Sequence, residues 1–301
     1  MTIEPLPGYR SGFVAVLGRP NVGKSTLVNR IVGRELCIVT PKAQTTRHRI
    51  TAIHTLSNAQ MVLQDTPGIH EPATLLNRSL VAAALRALEE TDIMLFMVGP
   101  SETINPEDQR IVDRIKGVKV PAVLAINKVD TVSPPTLLPL IEAYSHAHEF
   151  RAIVPVSALH GTGVDELVEV LLNLLPEGPQ LFPEDDVSDL PVRFFVAEIV
   201  REQITLKTGE EIPYKTAVVV EGFKEEKDRV VIHADIHVDK DSQKKILVGK
   251  GGRMVKRIGI ASRQKIEEFL GRRVRLELFV KVTPNWTRDA RRIEELLDTR
   301  S

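Results

Sequence analysis

The chain has few of the features that mark secreted or membrane-spanning proteins. Its only cysteine, Cys37, excludes an internal disulfide framework and is expected to be a small buried side chain without a further role. The most apolar strip, Ile93 to Val98, is far too short to span a bilayer. The opening residues MTIEPLPGYR contain neither the basic nor the apolar region of a secretory signal. We therefore expect a cytoplasmic protein.

Aromatic residues and net charge are also scarce. The aromatic content of 4% argues against a binding surface dominated by ring stacking, and we expect Trp286 to pack in the interior. The 40 basic and 40 acidic residues cancel, but residues 240–301 carry a net charge of +9 and residues 1–239 a net charge of −9. The basic segment is consistent with a solvated helix face or with a surface that binds a polyanion.

The hydrophobic content of 43% and the length of 301 residues favour two domains. Short apolar runs followed by amphipathic stretches predict an α/β domain with a mostly parallel sheet, which we place at residues 1–178. The runs RITAIHT and AQMVLQD predict an antiparallel hairpin at the edge of that sheet. A proline-rich and acidic stretch then predicts a linker at residues 179–190.

Residues 191–301 have a different order of elements. Their pattern predicts helix, strand, strand, helix, helix, strand and a final helix. This order indicates a smaller α+β domain with its helices on one face of the sheet. We find neither an internal repeat nor a low-complexity tract.

The stretch GRPNVGKS, Gly18 to Ser25, matches the phosphate-binding pattern G-x-x-x-x-G-K-[ST] between a predicted strand and a predicted helix. The glycines let backbone N–H groups face phosphate oxygens, and the helix N-terminus adds partial positive charge. Lys24 supplies a charge to the β- and γ-phosphates, and the Ser25 hydroxyl coordinates Mg²⁺. The predicted phosphate-binding residues are Gly18, Asn21, Val22, Gly23, Lys24, Ser25 and Thr26.

Three shorter motifs follow the ends of later strands. DTPG provides Asp65 to hold Mg²⁺, most simply through water, and the Gly68 N–H for the γ-phosphate. NKVD provides the Asp130 carboxylate, which can accept hydrogen bonds from the N1–H and 2-amino groups of guanine, two donors that adenine lacks. SAL places the Ala158 N–H against the guanine O6. Together they predict GTP as the substrate, with Asp65, Asn127, Lys128, Asp130, Ser157, Ala158 and Leu159 among the nucleotide-binding residues.

These motifs, together with PKAQTTRHRI and a C-terminal VGKGG, resemble the Era family of ribosome-assembly GTPases over nearly the whole chain. The resemblance implies that QTTRH is the first switch, in which Thr46 closes on Mg²⁺ and the γ-phosphate, with Thr45 as the alternative. It also implies Mg²⁺-dependent GTP hydrolysis. The catalytic residues would then be Lys24, Thr46, Asp65 and Gly68, and the metal ligands Ser25, Thr46 and Asp65.

Ile69 follows DTPG at the position where many small GTPases have the glutamine that orients the attacking water. Because an isoleucine side chain cannot hydrogen-bond, we expect slow intrinsic hydrolysis. Neither His48 nor His160 has a metal-spaced partner in the sequence, and we predict that both are loop residues without a catalytic role.

The second glycine loop, GKGG at Gly249 to Gly252, is too short to wrap a triphosphate. Its G-x-x-G pattern between two helices resembles a type II KH domain, in which this loop clamps about four nucleotides of a single strand. A plain helix-to-helix turn is the alternative. The predicted RNA-binding residues are Gly249, Lys250, Gly251, Gly252, Arg253, Lys256 and Arg257.

The resemblance implies a GTPase switch that binds the 3′ end of 16S ribosomal RNA and acts in assembly of the small (30S) ribosomal subunit. We expect a monomer. The sequence alone leaves three other functional hypotheses open. A P-loop kinase would need an acceptor-binding insert and lid arginines in place of NKVD. The others are an RNA-binding protein with an unhydrolysed structural nucleotide, and a peripheral protein on the cytoplasmic face of the membrane, which the amphipathic RDARRIEELL permits.

Overall fold

The computed structural model describes residues 8–42, 46–69, 90–209 and 211–297. These residues form two compact units, the first ending at Asp189 and the second beginning at Leu190. The first unit contains a six-stranded sheet and the second a three-stranded sheet.

The sheet of the first unit has the strand order β2-β3-β1-β4-β5-β6. Strand β2 is antiparallel to β3 and lies at the sheet edge, whereas all other neighbours are parallel. This arrangement confirms the predicted hairpin and the mostly parallel sheet. Every residue of β3, β4 and β5 is buried, as expected for strands covered on both faces. The strands are β1 Arg10–Gly18, β2 Ile50–Thr55, β3 Ala59–Asp65, β4 Ile93–Val98, β5 Ala122–Asn127 and β6 Ala152–Val156.

The helices of this unit begin and end at residues suited to helix termini. A left-handed glycine flanks each end of α1, and Asn105 caps α2 by accepting a hydrogen bond from the Glu107 N–H at 2.9 Å. Among the described residues, no helix combines the length and the apolar character needed to cross a membrane. The helices are α1 Lys24–Val32, α2 Pro106–Ile115, α3 Leu138–Ala147 and α4 Val164–Leu174.

Sheet topology brings the predicted motifs together. Strands β1, β3, β5 and β6 end at or just before the four motifs that begin with Gly18, Asp65, Asn127 and Ser157. Because the strands run parallel, their carboxyl ends meet at one edge of the sheet, where ligands of open α/β sheets bind.

The predicted linker is an ordered strip along the edge of the first unit. The Gln60 Oε1 accepts hydrogen bonds from the Leu181 and Phe182 N–H groups at 2.8 and 2.9 Å. Farther along, the Ile53 N–H donates to the Val187 carbonyl at 2.9 Å. The strip thus covers strand β2, whose free edge would otherwise offer unpaired backbone groups. The exact residue limits of the linker remain a prediction.

The second unit has the predicted order of elements. Strands β7 and β8 are antiparallel and β8 and β9 parallel. Alternate residues of β8, including Ile232 and Ile236, are fully buried with helix residues such as Ile258 in one hydrophobic core. Trp286 is fully buried and donates its indole N–H to the Lys215 carbonyl at 3.2 Å, which confirms a packing role. The elements are α5 Val192–Lys207, β7 Thr216–Glu225, β8 Val230–Val238, α6 Asp241–Val248, α7 Arg253–Leu270, β9 Val274–Val282 and α8 Ala290–Leu297.

Candidate nucleotide and nucleic-acid sites

A cleft of about 430 Å³ opens where the first motif follows β1. Two glycines of the predicted motifs lie so close to neighbouring elements that no side chain fits. A Cβ at Gly18 would lie 2.3 Å from the Met97 carbonyl oxygen, and one at Gly68 would lie 2.7 Å from the Pro20 nitrogen. The cleft is lined by Pro20, Asn21, Gly23, Lys24, Ser25, Thr26, Ile38, Val39, Thr40, Pro41, Thr46, Gly68 and Lys128.

Lys24 is held by the loop that surrounds it. Its buried ammonium donates to the Gly18 and Arg19 carbonyls at 3.1 and 3.0 Å. Burial lowers the pKa of Lys24 to about 8, while the charges of Asp65 and Asp108 oppose the shift. The side chain therefore lies within the predicted phosphate-binding loop, and a bound polyphosphate would favour its protonated form.

Three oxygen-bearing side chains converge beside Lys24. The Ser25 and Thr46 hydroxyls donate to Asp65 Oδ2 at 2.7 and 3.2 Å and lie 3.0 Å from each other. Burial raises the pKa of Asp65, while the charge of Lys24 and these hydroxyls, with the Cys37 thiol, oppose that shift. Asp65 Oδ1 is buried and has no hydrogen-bond partner among the described residues. These hard oxygen donors and the unsatisfied carboxylate oxygen fit Mg²⁺.

The geometry bears on the two candidate threonines of the first switch. Thr46 is buried next to the other oxygen donors, whereas Gln44 and Thr45 lie outside the described residues. His70, at the end of DTPGIH, also lies outside them. Ile69 is buried in the hydrophobic core, so its side chain does not line the cleft.

Asn127 connects the two motifs that flank the predicted guanine position. Its Nδ2 donates to the Val22 carbonyl at 2.7 Å, and its Oδ1 accepts from the Ala158 N–H at 2.9 Å. Next to it, Lys128 donates to the Asn21 carbonyl at 2.7 Å. The NKVD motif thus fixes the phosphate loop and the SAL motif relative to each other.

Asp130 is oriented by the SAL motif. The Ser157 hydroxyl donates to its Oδ1 at 2.6 Å, and this bond is the main reason that the pKa of Asp130 lies below its usual value. His160 Nε2 lies 3.8 Å from Asp130 Oδ2, so this histidine contacts a predicted site residue although the sequence indicated only a loop. An ionised, partly exposed carboxylate at this position can accept hydrogen bonds from a base.

The sequence does not indicate that two arginines contact residues of the site. Arg30 donates to the carbonyls of Ala158 and Leu159, at 3.2 Å for the former, and so supports the SAL backbone from α1. Arg19 donates to Asp108 of α2 at 2.7 Å. Both contacts join residues that are about a hundred positions apart, and no local pattern predicts them.

The second glycine loop has a different steric character from the first. Gly249, Gly251 and Gly252 all have positive φ angles, at 71°, 62° and 75°. A Cβ at Gly249 would lie 2.8 Å from Met254 Cβ, whereas one at Gly251 or Gly252 would meet no atom of the described residues within 4 Å. The loop is surrounded by exposed cations, which are Lys250, Arg253, Lys256 and Arg257.

A groove of about 310 Å³ lies along α7 and β9, beginning two residues after Arg253. Its walls combine aliphatic side chains with two cationic ones. The sequence does not reveal this groove, apart from Lys256, because the groove forms only when α7 packs beside β9. The lining residues are Val255, Lys256, Gly259, Ile260, Arg263, Leu276 and Leu278.

Among the described residues, one further group could hold a metal ion by geometry, formed by Glu221, Asp235 and His237. The Lys281 ammonium is in ion-pair contact with Asp235, and His237 Nδ1 lies 2.8 Å from the Thr283 hydroxyl. Because Lys281 already compensates the carboxylate charge, we assign no metal to this cluster.

Comparison with known proteins finds relatives that span the chain. Residues 13–128 match the family of 50S ribosome-binding GTPases, and residues 211–287 match the KH domain family. GTPase Era of Geobacter metallireducens is 48% identical over 96% of this chain and 97% of its own length. GTPase Era of Syntrophus aciditrophicus is 46% identical, covering 95% and 94%.

Two solved structures are similar over 97% of this chain and 100% of their own, each with a TM-score of 0.92. One is Era in complex with MgGDPNP and nucleotides 1506–1542 of 16S ribosomal RNA, at 43% identity. The other is a variant of Aquifex aeolicus Era bound to GDP and AlF4⁻, at 42% identity.

Proposed function

The chain belongs to the Era family of GTPases, and we propose that it is a Mg²⁺-dependent switch that binds the 3′ end of 16S ribosomal RNA during assembly of the small ribosomal subunit. The observation that carries the GTPase part of this proposal is the convergence of Ser25, Thr46 and Asp65 beside the buried Lys24 at one cleft. These are the charges and oxygen donors that a metal-bound triphosphate requires.

We assign roles to the residues of the cleft from their positions. Lys24 neutralises charge on the β- and γ-phosphate oxygens, and the Gly68 N–H meets the γ-phosphate. Ser25, Thr46 and Asp65 hold Mg²⁺, which when bound neutralises charge that develops on the phosphates. Asp130 accepts hydrogen bonds from guanine, and the guanine O6 shares the Ala158 N–H that donates to Asn127 Oδ1 in this structure. Hydrolysis alone should be slow, on the order of 10⁻³ s⁻¹ or below, because Ile69 cannot orient water.

The RNA site is proposed at the second glycine loop and its adjoining groove. The exposed cations around Gly249 to Gly252 attract the phosphate backbone, and the open space at Gly251 admits a phosphate. The N-terminus of α7 adds partial positive charge there. A strand clamped by the loop would continue along the groove lined by Ile260 and Leu278.

We place this activity in the cytoplasm and expect a monomer. Peripheral contact with the membrane is the alternative, and flotation of the chain with vesicles of anionic lipid tests it. The kinase reading is not favoured, since Asn127 and Asp130 are arranged around the position expected for guanine.

The enzymatic proposal is tested by measuring GTP hydrolysis of the full chain and of Lys24→Ala, with Lys116→Ala as an exposed control. We expect slow turnover that disappears in Lys24→Ala and on removal of Mg²⁺, but not in the control. Turnover by Lys24→Ala at the unsubstituted rate would contradict the assignment.

The RNA proposal is tested by filter binding of single-stranded RNA with the 16S 3′-end sequence. Gly251→Asp introduces a carboxylate where a phosphate must approach, so RNA binding should be lost while GTP affinity without RNA is unchanged. Normal RNA binding by this variant would mean that the loop is only a turn between helices.

A further inference from the structure

The phosphate-binding loop is tied to α2 through the side chain of its second residue. Arg19 Nε lies 2.7 Å from Asp108 Oδ1, and the two side chains are 22% and 2% exposed. Glu107 adds a more distant contact, at 4.0 Å from an Arg19 nitrogen. Taking such a pair out of water costs free energy that the attraction between the charges often only offsets. A contribution to the free energy of folding alone therefore does not account for this pair.

The carboxylate of this pair is itself fixed. Asp108 lies in the first turn of α2, three residues after the capping Asn105, where the helix terminus favours negative charge. Burial raises the pKa of Asp108, and the hydroxyl of the fully buried Tyr144 of α3, together with Arg19, opposes that shift. A residue of α3 thus lies beside the carboxylate that α2 presents to Arg19.

The other end of the pair reaches the phosphate site through the backbone. The Arg19 carbonyl accepts a hydrogen bond from the Lys24 ammonium at 3.0 Å, as the adjacent Gly18 carbonyl does at 3.1 Å. The next residue, Pro20, packs so closely against Gly68 that a Cβ there would lie 2.7 Å from the Pro20 nitrogen. Arg19 thus links the contact with the Lys24 ammonium to the packing of Pro20 against Gly68.

We propose that the Asp108–Arg19 pair is a positioning device that holds the loop in its phosphate-binding shape without touching the nucleotide. The inference rests on the proposed function of this cleft. A loop that is already ordered loses less conformational entropy when phosphates bind. Because the loop contacts phosphates that GDP and GTP share, binding of both nucleotides depends on the pair.

Simple electrostatics predicts the opposite effect. Asp108 carries negative charge near Lys24, so its removal should strengthen phosphate binding if charge alone mattered. Loss of positioning should instead weaken binding. The sign of the change in affinity therefore separates the two roles.

The experiment measures GDP and GTP affinity by calorimetry, with Mg²⁺ and the full chain. Asp108→Ala should weaken both nucleotides by about tenfold, with kcat for GTP within about twofold of the unsubstituted value. Asp108→Asn removes the charge but keeps a side-chain acceptor, so it should restore affinity to within about threefold. Asp113→Ala, which removes an exposed carboxylate from the same helix, should have no effect.

Equal or tighter nucleotide binding by Asp108→Ala would overturn the proposal, as would identical effects of the alanine and asparagine variants. A lower melting temperature of Asp108→Ala with unchanged affinity would mean that the pair is only structural, which also overturns it. Absence of GDP binding by the unsubstituted chain would overturn the proposed function itself and this role with it.

Discussion

Replacement of Asn127 by alanine should damage both the stability of the first unit and its nucleotide site. The side chain is 2% exposed and makes two hydrogen bonds, at 2.7 Å to the Val22 carbonyl and 2.9 Å from the Ala158 N–H. Asn127→Ala leaves both backbone groups buried without these partners, and each costs about 1–3 kcal/mol. We expect a loss of about 2–6 kcal/mol in the free energy of unfolding.

The same substitution should weaken GDP binding by at least about tenfold, because Asn127 fixes the phosphate loop relative to the backbone that we propose binds guanine. Urea denaturation followed by circular dichroism reports the loss of stability. Trp286, the only tryptophan, belongs to the second unit. The urea concentration at the midpoint of its fluorescence change should therefore stay the same.

Ser101→Ala is a matched control, since it removes an exposed side-chain hydrogen bond, to the Thr103 carbonyl, worth about 1 kcal/mol. It should leave GDP affinity unchanged. An Asn127→Ala protein with stability within about 0.5 kcal/mol and GDP affinity within about twofold of the unsubstituted chain would refute the reasoning.

Three further outcomes follow from individual site residues. Asp130→Asn should weaken GTP and improve xanthosine triphosphate, whose base has a carbonyl in place of the guanine amino group; unchanged GTP affinity in a competition assay would contradict the assignment. GDP affinity should fall as pH rises above about 8, because Lys24, which faces Asp65 and Asp108, must be protonated to attract phosphate and burial lowers its pKa to about 8. Calorimetry on both sides of that pH checks the effect. Arg253→Ser should flatten the salt dependence of RNA binding by about one unit in the log–log slope. An unchanged slope would mean that Arg253 contacts no phosphate.

The sequence predicted the motifs and their common location well, because parallel strands bring their carboxyl ends to one edge. It did not predict what holds the motifs in place. The bridge made by Asn127, the support of the Ala158 carbonyl by Arg30 and the Arg19 anchor are long-range contacts set by helix and strand packing. Such contacts leave no periodic signal in the chain.

The second unit shows the same limit. Its order of elements followed from hydrophobic periodicity, and the glycine loop from its spacing. The groove that adjoins the loop depends on how Ile260 of α7 and Leu278 of β9 lie beside each other, which no single segment encodes. The ordered linker likewise depends on Gln60, a residue of β3 more than a hundred positions away.

The two glycine loops need glycine for different reasons, and alanine substitutions should separate them. A Cβ at Gly18 would lie 2.3 Å from the Met97 backbone oxygen, so Gly18→Ala must displace β4 from β1. At Gly251 a Cβ would meet no described atom within 4 Å, and only the positive φ of 62° opposes it. We therefore expect Gly251→Ala to cost about 1 kcal/mol of stability and Gly18→Ala several times more.

The functional effects should separate as well. Gly18→Ala should abolish GDP binding, whereas Gly251→Ala should weaken RNA binding and leave GDP binding intact, because its methyl group occupies space open to a phosphate rather than space filled by the protein. Urea denaturation, calorimetry with GDP and filter binding of RNA on both variants test this. If Gly251→Ala bound RNA normally, the opening at that residue would not be where the backbone is clamped, and the contact would have to lie at Gly252 or in the groove.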